Sequence, residues 1–167
     1  MPYFSYLSVL HFYETLGWFR NSSLLKLHFS QSDNELHHLL IMESLGGNKR
    51  WVHRMLTTHV SFFYYWFVVF VFMFFPKCAY DLNKHVENHA YETYDDFINK
   101  HYEELIDMPA PRIAREYYTS ELSVYTAFRG MEGGRRKCDN MLDVFRNIRD
   151  DEMEHVEHME RLGSEGF

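Results

Sequence analysis

Two Glu-x-x-His pairs sit where a helix should be apolar. Glu35 and His38 lie in "SDNELHHLLIMESLGG", and Glu152 and His155 in "FRNIRDDEMEHVEHMERLG". In the second stretch Met141, Phe145, Ile148, Glu152, His155, Met159 and Leu162 recur in steps of three and four, the spacing of one helix face. In the first, Glu35 and His38 share a stripe with Met42 and Leu45. An i, i+3 pair points both side chains to one side of a helix, where they can grip one cation together. A single pair carries little weight in a chain with 11 histidines and 24 acidic residues. Glu154/His158 is such a decoy, off the stripe. Two pairs, each in register with an apolar face and on separate helices, weigh more. A buried isolated carboxylate is costly, and metal coordination is the usual relief.

A third contribution is expected from "LNKHVENHAYETYDDF". Glu87 shares a stripe there with Tyr80, Ala90, Tyr91 and Tyr94, while Glu92 lies off it. Two Glu-x-x-His helices plus one Glu from each of two others is the ligand pattern of di-iron carboxylate bundles. Hard oxygen donors with imidazoles suit iron and leave positions for dioxygen. Tyr94, two turns from Glu87, is a redox partner or simply a core aromatic.

The elements that must hold these residues read as five or six helices without convincing strands. Periodicity and punctuation place them at residues 2–20, 23–45, 49–75, 77–101, 113–118 and 140–162. Gly46-Gly47, Pro76, "DMPAPR" and Gly163 act as stops. "FRGMEGGRRKC" reads as a mobile basic loop. A chain of 167 residues suits a single domain spanning 1–167. No signal or transit peptide is readable. A net charge of −7 without a basic stripe argues against nucleic acid. Cys78 and Cys138 have no metal spacing and imply no disulfide framework.

From Met55 to Pro76 there is no Asp, Glu, Lys or Arg, and "VSFFYYWFVVFVFMFF" is apolar on every side. At helical rise that core is roughly 24 Å long and the charge-free span roughly 33 Å. Against a hydrocarbon layer about 30 Å thick, length leaves a transmembrane span open. The other readings are the central helix of a soluble bundle and a helix lying in one leaflet, where Trp and Tyr favour the interface.

"SVLHFYETLGWFR", "NELHHLLIMESLGGN", "ENHAYETYDDF", "MPAP" and "NIRDDEMEH" resemble the alternative oxidase family, and its plastid terminal oxidase branch in particular. The resemblance implies an all-α, ferritin-like four-helix di-iron carboxylate bundle with apolar membrane-binding helices. It implies a monotopic quinol oxidase of the plastid thylakoid membrane that couples oxidation of plastoquinol, or ubiquinol, to four-electron reduction of O2 to water. The cofactor is two non-haem irons, with Glu35, His38, Glu87, Glu152 and His155 as ligands. Tyr94 falls at the family's tyrosine near the irons, Asp151 and Asn34 at outer partners, and His11 and Thr93 in the quinol region. Residues 62–75 fall in a membrane-binding helix, which favours one leaflet over a span. The expected partners are quinol, O2, the membrane and a second copy of the chain.

Two departures accompany the resemblance. The family carries a further ligand Glu in a Leu-Glu-Thr motif just before the residues matching Pro2-Tyr3-Phe4, which this sequence lacks. Glu14 lies about 18 residues further along, roughly 27 Å away, and cannot replace it. The chain as written is therefore expected to be truncated or inactive, to bind fewer than two irons and not to sustain quinol oxidation. Phe72 stands where the plastid branch commonly has Tyr. Two other functions remain open: a ferritin-like iron-binding or hydroxylase protein, and a structural membrane protein whose Glu/His pairs are solvated.

Overall fold

The computed structural model describes residues 2–119 and 136–165. Most of the expected basic loop, residues 128–135, lies outside the described residues. Six helices run through the rest: α1 (Pro2–Thr15), α2 (Ser22–Ser44), α3 (Trp51–Phe74), α4 (Pro76–Asp107), α5 (Arg112–Thr119) and α6 (Met141–Glu165). Among the described residues there is no strand, only an isolated bridge between Pro109 and Asn140. The expected all-helical architecture is observed.

Local chemistry explains where these helices begin and end. α1 stops at Thr15, five residues before the expected end, because Gly17 adopts a left-handed φ of 71°. The Gly17 and Trp18 amides then bond back to the Glu14 and Tyr13 carbonyls at 3.0 Å each, a glycine-dependent helix stop. α2 ends the same way: Gly46 has φ 96°, and the Gly46 and Gly47 amides reach Glu43 and Met42. Its start is capped by Asn21, whose side chain accepts from the Leu24 amide at 3.0 Å. Pro76 at the first turn of α4 forces Phe75 out of helical geometry and separates α3 from α4.

Two further expected boundaries need correction. α4 does not end at His101; it kinks there (φ −118°, ψ 18°) and continues to Asp107. Gly163 does not stop α6, which runs on to Glu165. A Cβ at Gly163 would stand 3.9 Å from the Tyr80 Cβ, so this glycine sits at the α6–α4 contact. The "MPAP" segment is tied to the start of α6 by Met141 N–H to Met108 O at 2.8 Å and Ala110 N–H to Asp139 O at 3.1 Å.

Packing divides the interior into two apolar clusters with a polar layer between them. One holds Ile41, Ile98, Leu105, Ala114, Phe145 and Ile148 with their neighbours. The other holds Tyr3, Tyr6, Val68, Phe72, Tyr80 and Met159 with theirs. α4 and α6 pack along each other and enter both clusters, α1 and α3 meet at one end, and α5 rests on α2. The layer between is His28, Gln31, Asn34, His38, Asn83, Glu87, Asp151, Glu152 and His155, all buried.

α3 is not the central helix of a soluble bundle. Of its residues Val68, Val69 and Phe72 are buried, whereas Phe62, Phe63, Trp66, Phe67, Phe70 and Phe74 are each more than half exposed. It lies flat against α1 and α4, through Tyr6 on Phe72 (4.3 Å between rings), Ser5 Oγ on Tyr65 O and Tyr13 OH on Met73 O. It is also long and apolar enough to cross a membrane.

Candidate metal centre

Glu35, Glu87, Glu152 and His155 arrive from α2, α4 and α6, and one ligand atom of each lies within 4.8 Å of all the others. Three are buried; Glu35 is partly exposed. His155 Nδ1 stands 3.4 Å from Glu35 and 3.8 Å from Glu152. His38 flanks this group: its Nδ1 is 3.3 Å from Glu152 Oε1 and its Nε2 is 3.1 Å from Asp151 Oδ2. The five residues singled out in the sequence are thus brought together, four around one point and His38 at its edge.

The electrostatics show a site with more negative charge than its surroundings can hold. Burial and the charge of Glu35 push the Glu87 carboxyl well up. Glu152 is driven down: burial opposes ionisation, but hydrogen bonds with His155 and His38 outweigh it. For His38 burial favours the neutral ring, yet bonds to Asp151 and Glu152 lift it to about 10. His155 is raised likewise by Glu152 and Glu35 against its burial. The cluster therefore retains protons that a cation would displace. His38 Nδ1 is already turned to Glu152 Oε1 at 3.3 Å, whereas Glu152 Oε2 is buried without a hydrogen bond, and such an atom calls for a partner. Carboxylates and imidazoles converging on a buried, unsatisfied acceptor fit a hard or borderline divalent ion such as iron.

Around the cluster, orientation comes from a second set of side chains. Tyr3 OH donates to Glu87 Oε1 at 2.8 Å, and Asn83 Nδ2 donates to the same oxygen at 3.1 Å. Asp151 is the larger hub. Its Oδ2 accepts from Asn34 at 2.9 Å and Tyr118 OH at 3.0 Å besides facing His38, and its Oδ1 accepts from Arg136 at 2.6 Å. Arg136 also reaches Asn147 O and Glu154, so the supposed decoy Glu154 has a place in this network. Asp151 is held ionised: burial works against it, but His38, Arg136 and Asn34 prevail. Asp151→Asn is expected to lower metal affinity about 10–100-fold, the usual cost of losing an outer partner of a ligand histidine. Iron content after dialysis against graded chelator measures it, and unchanged retention would refute the assignment.

The remaining sequence candidates fall at different distances. Tyr94 packs on Phe145 (6.2 Å between rings), and its hydroxyl is pushed up by burial and by Glu152, Glu35 and Glu87; it lies within reach of the cluster's charge. Thr93 is exposed, with Oγ1 on the His89 carbonyl at 2.7 Å, and is not brought to the cluster. His11 is exposed, 3.4 Å from Glu14. It lines a groove of about 490 Å3 between α1 and α2, with Phe4, Leu7, Ser8, Leu25, Lys26 and Phe29. Sequence reasoning missed Tyr3, Asn83, Tyr118 and Arg136. Asn83 was accessible to it, being one turn before Glu87 on the same stripe.

The sequence model described as alternative oxidase matches residues 1–164. The chain is 50% identical over 171 residues to "Ubiquinol oxidase 4, chloroplastic/chromoplastic" of Arabidopsis thaliana, a match covering 98% of this chain and 49% of that protein. The chain thus spans about half the length of the curated relative it matches. No solved structure matches it.

Proposed function

The chain belongs to the alternative oxidase family, and from that premise we propose that it forms the metal-binding bundle of a membrane-attached quinol oxidase. The reaction is oxidation of two quinols with four-electron reduction of O2 to two waters. Glu35, His38, Glu87, Glu152 and His155 are the proposed iron ligands. The observation that carries this reading is the convergence of Glu35, Glu87, Glu152 and His155 within 4.8 Å, with His38 at their edge and Glu152 Oε2 buried without a hydrogen bond. Iron bound there would supply the electron transfer to dioxygen that no side chain can.

The chain's own residues have narrower tasks. Tyr3 and Asn83 both donate to Glu87 Oε1 and so fix the carboxylate beside Glu35, Glu152 and His155. Asp151 takes the Nε2 side of His38, so that Nδ1 faces the cluster. Tyr94, kept protonated, is a proposed donor near the reacting groups. The apolar groove at His11 has room for a quinol ring, with His11 and Ser8 as its polar contacts. Thr93 is the proposed quinol-region residue on α4, next to Tyr94.

Plastoquinol or ubiquinol is the proposed substrate and the plastid thylakoid membrane the proposed location: the relative's name is that of a chloroplastic ubiquinol oxidase, and the exposed aromatic face of α3 supports attachment to one leaflet. That face also argues against a ferritin-like store, which has no use for it. Oxygen consumption on a reduced short-chain quinol, with and without iron, tests the proposal. In a chain that also carries the family's Leu-Glu-Thr segment, iron-loaded protein that takes up no oxygen would refute it.

A further inference from the structure

One layer beyond the ligands lies a buried pair that the proposed reaction does not use. His28 of α2 is fully buried and bonded through both ring nitrogens, Nδ1 to Gln31 Oε1 at 2.9 Å and Nε2 to Tyr80 OH at 3.1 Å. An amide oxygen only accepts, so Nδ1 carries the ring proton and Nε2 accepts the phenol hydrogen of Tyr80. Burial keeps this imidazole neutral, its pKa lowered to about 4. The pair is joined to the cluster by a succession of rings: His155 to Tyr3 at 5.1 Å, Tyr3 to His28 at 6.1 Å and His28 to Tyr80 at 5.8 Å between centroids.

We propose that Tyr80 and His28 form a redox-active tyrosine–histidine pair, in which Tyr80 gives up one electron toward the metal cluster while its phenolic proton crosses to Nε2 of His28. The O–H bond of Tyr80 breaks and an N–H bond forms on His28. The products are a neutral phenoxyl radical and an imidazolium; iron held by Glu35, His38, Glu87, Glu152 and His155 would, with dioxygen, supply the one-electron oxidant that takes the electron. A quinol would return the electron, becoming a semiquinone and releasing its own proton to solvent, while the imidazolium proton moves back to Tyr80. Only this oxidant rests on the metal reading above; the pair itself does not.

Three physical points single out Tyr80. Removing an electron from a buried phenol without its proton would leave a cation in apolar surroundings, at high cost. A base already in hydrogen-bond contact removes that cost, and an oxidised phenol is a far stronger acid than an imidazolium, so the proton crosses even to this weakly basic ring. The neighbouring tyrosines lack such a base. Tyr6 OH is given to the Ala79 carbonyl at 2.9 Å, which cannot take a proton, and Tyr3 OH is given to Glu87, whose basicity falls when it binds a cation. The pair would hold one oxidising equivalent away from the irons when quinol is scarce.

Electron paramagnetic resonance on protein with ring-deuterated tyrosine tests this in two arms. In one, iron-loaded protein is mixed with dioxygen and frozen; in the other, metal-free protein is oxidised by flash-quenched ruthenium tris(bipyridine). A tyrosyl signal is expected in both arms, with loss in Tyr80→Phe and an altered g-tensor in His28→Gln. In the unmutated chain, double resonance should find an exchangeable deuteron and a coupled histidine nitrogen, a readout independent of how the variants fold. A signal that survives Tyr80→Phe in the metal-free arm, or the absence of any Tyr80 radical there, overturns the pair. A Tyr80 radical in the metal-free arm alone upholds the pair and counts against the metal reading.

Discussion

In a chain that also carries the family's Leu-Glu-Thr segment, Glu152→Ala is expected to reduce quinol-dependent oxygen uptake to the level of iron-free protein and to strip its iron. Glu152 is the carboxylate to which both imidazoles turn, at 3.3 Å from His38 and 3.8 Å from His155. Its removal takes a proposed ligand and leaves two histidines that its charge had stabilised. The loss of affinity should exceed by a wide margin the roughly 10–100-fold attached to an outer partner. Breaking a buried ionic contact also costs about 3–5 kcal/mol of stability, so Glu152→Gln, which keeps the volume, is the companion variant. It should retain helical circular dichroism yet bind as little iron as the alanine variant. Glu157→Ala, on an exposed position of the same helix, should leave both iron and oxygen uptake unchanged. Iron retention in Glu152→Gln equal to that of the unmutated chain would dismiss Glu152 as a ligand.

The combined substitution Phe63→Glu with Phe67→Glu is expected to release the protein from membranes. The two rings are one helical turn apart on α3 and 68% and 53% exposed, so neither supports the interior. Full burial of a Phe in an apolar phase contributes about 2–3 kcal/mol. Losing two such terms, before any cost of the introduced charges, shifts partitioning about 10³–10⁴-fold at 1.4 kcal/mol per tenfold. For the unmutated chain detergent should extract the protein and high salt should not, because apolar burial is not screened. Lipid flotation measures both. A double variant that floats with vesicles as the parent does would remove α3 from the membrane contact. Protease protection should find both ends of α3 on one side. It lies along α1 and α4, and the exposed charges of α4 such as Asp81 and Asp96 would have to enter hydrocarbon if it spanned the bilayer.

Periodicity was enough to pick Glu35, His38, Glu87, Glu152 and His155 out of 35 acidic and histidine side chains, 24 and 11 respectively. A polar residue in register with an apolar stripe must face inward, and these five do converge. What periodicity cannot supply is the partner on another helix. Tyr3 meets Glu87 across 84 residues and Asn34 meets Asp151 across 117. Arg136 reaches Asp151 from a non-helical stretch with no repeat to betray it. The six helices were legible for the same reason as the ligands, whereas their ends depended on glycine context. Gly17 has open space beyond it, Gly46 has only the flexible Lys49 side chain, and both turn left-handed, but Gly163 is held inside α6 by its contact with α4. His101 was mistaken for an end because the helix bends there without breaking.

The polar layer between the two apolar clusters also governs how the molecule comes apart. Each end of the bundle is a small core of its own, and α2, α4 and α6 run through both. α1 and α3 can detach from one end, or α5 from the other, without exposing the opposite cluster. Such partial openings cost less than global unfolding, and the amide protons of α1 and α5 exchange with solvent through them. Those facing the α4–α6 seam wait for the whole bundle to open. A cation gripped by α2, α4 and α6 bolts the layer shut, so its loss costs the molecule cooperativity as well as chemistry.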